Sequence, residues 1–199
     1  MELKIRNFHP SDLCMLYAIC LQTGNSGSDA SDMYQDKYLL GHYYAGPYAV
    51  LEPELCFVLT CGGKPCGYIL GTKHSAAFAD YCEDTWFPVL REQYPMPEAE
   101  DDTPDASIIR RLHAGHQVSA AFSAYPAHLH IDLLPAAQGQ GMGRALMQTF
   151  LAKLRDLEVP AVHLQVGKKN PGAIQFYQRT GFHLIEEQEK ALAFGMKLQ

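Results

Sequence analysis

The sequence predicts an α/β fold built on one mixed sheet flanked by helices, with a helical and acidic segment inserted between the third and fourth strands. Three observations predict it. Segments of period-two and helical apolar spacing follow one another in the order β, α, α, β, β, insertion, β, α, β, α, β, β. Two of the strand segments flank a tight Gly-Gly turn and pair as a hairpin. A strand running into Pro135 is followed at once by a glycine-rich turn and an amphipathic helix. No repeat or linker divides the 199 residues, so 1–199 is expected to form one domain.

Each element has a local reason. In residues 2–8, Leu3 and Ile5 alternate with Lys4 and Arg6, a first strand. Pro10-Ser11-Asp12 reads as a helix start, and Leu13, Leu16, Tyr17 and Cys20 recur at helical spacing until the polar run 23–28. A second, aromatic-rich segment is expected from Ser31 to Tyr44, ending at Gly46-Pro47. Residues 55–60 and 66–73 form the hairpin. A helix is expected over 75–93, a loop over the acidic stretch 95–106 and a short helix over Ile108–His113. His128–Leu134 is the next strand, 142–157 a helix with Leu146, Met147, Phe150, Leu151 and Leu154 on one face, Ala161–Val166 a strand, and Asn170–Thr180 a helix. Strands near 182–187 and 191–197 close the fold.

Composition narrows the function. The chain is 47% hydrophobic with a formal net charge of -6, which argues against a protein that tracks nucleic-acid phosphates with a basic face. No apolar run is long enough to span a membrane. The six cysteines carry no CxxC pair and follow no secretory leader, so free, mostly buried thiols in a reducing cytoplasm are expected. A zinc site on Cys56, Cys61 and Cys66 is the weaker alternative, and no metal is expected. The charge is split: residues 136–199 hold eight Lys and Arg against five Asp and Glu, whereas the acidic excess gathers between Asp80 and Asp105. That split suggests an anion handled by the basic part and a cationic partner drawn to the acidic one.

The turn after the fourth strand is the strongest chemical signal. Gly139, Gly141 and Gly143 leave the backbone free to turn, and the amides from Gly139 to Arg144 would converge at a helix N-terminus, a ready pyrophosphate site. Tight packing alone is the other explanation. A nucleotide P-loop is excluded, since no Gly-Lys-Ser/Thr is present, and the dinucleotide fingerprint fails at Arg144.

The run Gln138-Gly139-Gln140-Gly141-Met142-Gly143 resembles the acetyl-CoA loop of the GNAT superfamily of N-acetyltransferases. Asn170, Ala173, Phe176, Tyr177 and Gly181-Phe182 resemble the second motif of the same superfamily, in the expected order. The strings Gly41–Tyr48 and Tyr125–Asp132 are similar to the acetyltransferase-like C-terminal domain of O-GlcNAcases and its stand-alone bacterial relatives, which implies a free-standing form without the glycosidase domain. The resemblance implies a mixed, mostly antiparallel sheet, acetyl-CoA as cosubstrate, and a small-molecule or peptide amine as acceptor. It also implies that Leu133, Leu134, Gln138, Gly139, Gln140, Gly141, Met142, Gly143, Arg144, Asn170 and Tyr177 bind the cosubstrate. An acetyl-CoA-binding sensor or partner-binding module without catalysis is the alternative function.

Candidate catalytic groups lie on the strand before the loop. His128, His130 and Asp132 share one face of it, and a strand buried on both sides does not need such a row. Asp132 is the candidate base, directly or through a water; His130 is the rival base or a substrate-binding group. The alternative is that these groups only order the strand by bonding one another. By resemblance, Tyr177 would protonate the departing thiolate, with Phe176 packing away from it. The resemblance also puts the backbone donor for the acyl carbonyl at about Leu134. Relatives that acetylate protein N-termini carry a Glu where this chain has Gln165, which shifts the base to Asp132 and leaves His163 as a remote alternative. Arg144, Lys168 and Lys169 are expected around the phosphates, and the acidic stretch with Tyr34–Tyr48 on the acceptor side.

Overall fold

The computed structural model describes residues 2–198. Its strands are β1 (Leu3–Asn7), β2 (Phe57–Cys61), β3 (Lys64–Thr72), β4 (Ala127–Leu133), β5 (Ala161–Gly167), β6 (His183–Glu187) and β7 (Ala191–Lys197). They form one sheet in the order β1-β2-β3-β4-β5-β7-β6. Every neighbouring pair is antiparallel except β4 and β5. That parallel pair meets only at Ala127–Val162 and His128–His163, and beyond His128 the strands part. On its other edge β4 stays in register with β3 as far as Gly67–Leu133. The gap between β4 and β5 positions everything that follows.

Two apolar clusters cover the faces of the sheet. On one, α7 (Met142–Asp156) buries Leu146, Met147, Phe150, Leu151 and Leu154 against Phe57, Leu59, Ile69 and Leu129. Each such side chain contributes about 1.5–3 kcal/mol on leaving water. The helix α8 (Pro171–Arg179) packs Ala173, Ile174, Phe176 and Tyr177 on the same cluster. The other face carries α1 (Leu13–Thr23), α2 (Leu39–Tyr44), α3 (Gly46–Leu51), α4 (Ser75–Tyr81), α5 (Phe87–Gln93) and α6 (Pro104–Ala114), packed around Tyr68 and Leu70 of β3. A π-helical stretch, Cys82–Trp86, joins α4 to α5. Among the described residues no helix is long and apolar enough to cross a membrane.

The structure departs from the sequence reading in three elements. Residues 31–38 are turns rather than helix, and a helix begins at Gly46-Pro47 where an end was expected. Pro47 occupies the first turn of α3, where its missing N–H has no intrahelical partner to lose. The acidic loop is shorter than expected: Thr103 caps α6 by accepting from the Ala106 amide at 3.2 Å, so the helix spans Pro104–Ala114. Pro10-Ser11-Asp12 forms a 3-10 turn before α1, held by paired bonds from Arg6 to Asp12 at 2.6 and 2.7 Å. The Arg6 guanidinium keeps the Asp12 carboxyl below the usual carboxylate range. Cys20, Cys56, Cys66 and Cys82 are buried free thiols, Cys61 is half-buried and Cys14 is exposed.

Candidate active site

A cleft of about 1100 Å³ opens where β4 and β5 part. It is lined by side chains from both apolar clusters: Leu129, Ile131, Phe176 and Tyr177 from one, Cys20, Leu40, Tyr44 and Ile108 from the other. The cleft therefore passes through the sheet rather than lying on it.

One end is built from backbone. Gly139 and Gly141 adopt φ of +73° and +78°, a conformation that L side chains rarely adopt, and a Cβ at either would meet nothing within 4 Å. The turn is left open above the first amides of α7, which have no carbonyl within the helix to bond. Gln138 closes the turn by donating to the Leu133 carbonyl at 2.8 Å, and Gln140 donates to Ala136 at 2.9 Å. Arg144 reaches the cleft, and so does Arg179 of α8. Asn170 caps α8 by accepting from the Ala173 amide at 3.0 Å and lies beside Gly27 in the loop after α1. Open space over unpaired amides, an arginine at the mouth and a strand gap leading inward fit a pyrophosphate followed by a slender acyl-bearing arm.

The gap also identifies which amide faces it. The Leu134 amide donates to the Cys66 carbonyl at 2.9 Å, so it is taken and cannot serve the acyl carbonyl. Antiparallel bonding alternates, which turns the amides of Asp132 and His130 toward β3 as well. The Ile131 and Leu133 amides then point to β5, from which β4 has already parted. The amide that faces the gap is thus that of Leu133, one residue before the expected Leu134.

At the cleft floor Asp132 is half-buried. The Tyr68 hydroxyl donates to its Oδ2 at 2.7 Å, which leaves Oδ1 for the cleft. Burial raises the Asp132 carboxyl above the ordinary carboxylate range, and the Tyr68 bond offsets part of that rise. Tyr68 is fully buried and held protonated, so it stays a donor. Tyr177 also lines the cleft, nearly buried, and burial together with the charge of Asp132 holds its hydroxyl protonated. Phe176 does not pack away: it lines the cleft too and lies against Gly143.

His130 and His128 are fixed by one hydrogen-bond chain, and its directions follow from elimination. The Ser75 Oγ lies 2.7 Å from the Pro126 carbonyl, which can only accept, so Ser75 donates there. Ser75 must then accept from His128 Nδ1, also at 2.7 Å. Burial holds His128 neutral, so its Nε2 is bare and accepts from the Tyr48 hydroxyl at 2.7 Å. With its proton committed, Tyr48 accepts from His130 Nε2 at 3.1 Å. His130 is neutral as well, pushed down to about 4 by burial and by neighbouring histidines. Its Nδ1 is therefore a bare acceptor in a side chain that lines the cleft.

Not every expected residue reaches the site. His128 is spent on the chain behind His130 and does not line the cleft. His163 is buried, stacked on Phe122 and bonded to the Tyr125 carbonyl at 2.8 Å, and it does not line the cleft. Lys168 is paired with Glu187 at 2.7 Å, and neither it nor Lys169 lines the cleft. The acidic stretch does not face the cleft either. Asp105 accepts from the amides of Gln35 and Asp36, and Glu83 pairs with Arg91. In their place stands Arg111 of α6, with Tyr34 and Tyr44. The roles of Tyr68, Ser75 and Arg111 had no local signal, because only the fold brings them to β4, whereas Tyr48 lies in the segment 34–48 expected near the acceptor.

Comparison with known proteins gives this geometry a family. A model described as the acetyltransferase (GNAT) family matches residues 27–182. The crystal structure of SsHAT is 39% identical, covers the whole of both chains and superposes with a TM-score of 0.94. Protein O-GlcNAcase of Rattus norvegicus is 24% identical over 188 residues, 93% of this chain, although the chain spans only 20% of that relative's length. The N-acetyltransferase PaiA of Thermoplasma acidophilum, solved with coenzyme A, shares the fold at 13% identity, with 99% of each chain covered and a TM-score of 0.61. The chain belongs to the acetyltransferase (GNAT) family, whose acyl donor is acetyl-CoA.

Proposed function

We propose that the protein transfers the acetyl group of acetyl-CoA to an amine by direct attack, with Asp132 as base and Tyr177 as acid. The observation that carries this reading is that Asp132 and Tyr177 line one cleft at the point where β4 and β5 part. The α7 amides, the turn Gly139–Arg144 and Asn170 would hold acetyl-CoA, with its arm in the strand gap beside Leu133 and Leu134. When bound, it supplies an activated thioester and a thiolate leaving group.

The residues then divide the work. A protonated amine cannot attack, and Asp132 Oδ1 takes its proton; a carboxyl that burial raises above its ordinary range is a stronger base than an ordinary one. Burial holds His130 neutral, and its bare Nδ1 accepts an N–H to aim the amine. The Leu133 amide donates where the carbonyl oxygen gathers charge. Tyr177 keeps a proton for the sulfur.

The test is mass spectrometry of a metabolite extract and an amine panel after incubation with protein and acetyl-CoA. Acetylated products are expected, and Tyr177→Phe is expected to lower kcat by about 10²-fold, within the usual range for general acid catalysis, while leaving acetyl-CoA affinity unchanged. Acetyl-CoA binding with no amine acetylated would overturn the reading in favour of a binding module.

A further inference from the structure

The ionised side chains lining the cleft are unevenly placed. Arg144 and Arg179 stand at the end built by α7 and α8, and Asp132 lies on the floor. On the far side, formed by the loop after α1 with α2 and α6, the charged group is Arg111. Among the described residues it makes no salt bridge, whereas Arg6 and Arg91 each hold a carboxylate. Its neighbour Arg110 is engaged with the Glu98 carbonyl at 2.6 Å. The nearest acid on the same helix, Asp105, is committed to two backbone amides.

Arg111 is exposed on the cleft wall and stands beside three phenol hydroxyls. Burial pushes the hydroxyls of Tyr34, Tyr43 and Tyr44 up, and the Arg111 charge works against that rise at all three. Tyr44 links it to the reacting end, since its ring lies edge-on 5.7 Å from His130. Arg111 and Gln165 also line a second hollow of about 390 Å³, together with Tyr43 and Gln188, so the guanidinium borders both spaces. A planar cation with spare donors, flanked by phenol hydroxyls, matches a carboxylate.

We infer that the acceptor is an amine that also carries a carboxylate, with Arg111 binding the carboxylate while the amine reaches Asp132 and His130. This rests on the acetyl-transfer reading above and narrows the expected small-molecule or peptide amine to one that carries a carboxylate. Free amino acids and peptides with an acidic side chain near the N-terminus share this chemistry.

The experiment has two arms. In the first, acetylation of amino acids, of dipeptide amides containing Asp or Glu, and of their decarboxylated or amidated counterparts is compared. Carboxylated acceptors are expected to be preferred, and Arg111→Gln is expected to raise their KM at least tenfold with little change in kcat. The same substitution should leave the KM of uncharged amines and the affinity for acetyl-CoA unchanged, and Arg111→Lys should recover part of the loss. In the second arm, CoA-saturated protein is titrated with the N-acetylated amino acids and peptides and with their amides, which reads the carboxylate preference without turnover. Equal binding of acids and amides, or an Arg111→Gln effect confined to acetyl-CoA, would overturn the inference. Preferential binding of acids with no turnover would leave it standing and overturn the catalytic reading alone.

Discussion

The two ends of the cleft are built on different principles. The end at α7 is made of backbone: two positive-φ glycines, a helix N-terminus and a gap between strands. The end at α2 and α6 is made of side chains brought from separate segments: Tyr44, Arg111 and His130, the last held from behind by Tyr48, His128 and Ser75. Backbone sites tolerate little change in residue type, because a Cβ fills the space or strains the turn. Side-chain sites depend on partners, so a single hydroxyl fixes a ring several bonds away.

That difference predicts where damage is greatest. Gly141→Val places a β-branched residue at φ +78° and a side chain in the open turn. Thermal shift should then show loss of acetyl-CoA stabilisation, which for a ligand at a hundred times its Kd is about 2.7 kcal/mol. An undiminished shift would mean that the turn is not the binding site.

Tyr48→Phe should do less, and elsewhere. It leaves His128 Nε2 without its donor and His130 Nε2 without its acceptor, at a cost of about 1–3 kcal/mol of stability. It also frees the His130 ring to change tautomer, so KM for the amine should rise severalfold while acetyl-CoA affinity holds. Steady-state kinetics with each substrate varied in turn would separate the two; a loss confined to acetyl-CoA would break the comparison.

The same contrast explains what the sequence made legible. The alternation in β4, the apolar face of α7 and the glycine turn are local patterns, and each appears in the structure near its expected bounds. The helix at Gly46-Pro47 was hidden because both residues read as a stop until packing gives the first turn a place. Strand alternation put His128, His130 and Asp132 on one face, but not that His128 is walled off by Tyr48 and Ser75. Charge counting failed for a related reason. Net charge along the chain says nothing about where carboxylates point, and those of Glu83 and Asp105 are spent on structural bonds away from the cleft.

The central claim is that Asp132 takes the proton of the amine. The direct measurement is the pH profile of kcat/KM for wild type and Asp132→Asn. The wild-type rate should fall toward acid with a midpoint above the ordinary carboxylate range, because the reactive form is the deprotonated one and burial raises the carboxyl. Asp132→Asn should lower the rate about 10²–10⁴-fold and erase that limb, with acetyl-CoA binding intact. A variant that keeps near wild-type activity, or the same acid limb, would contradict the account.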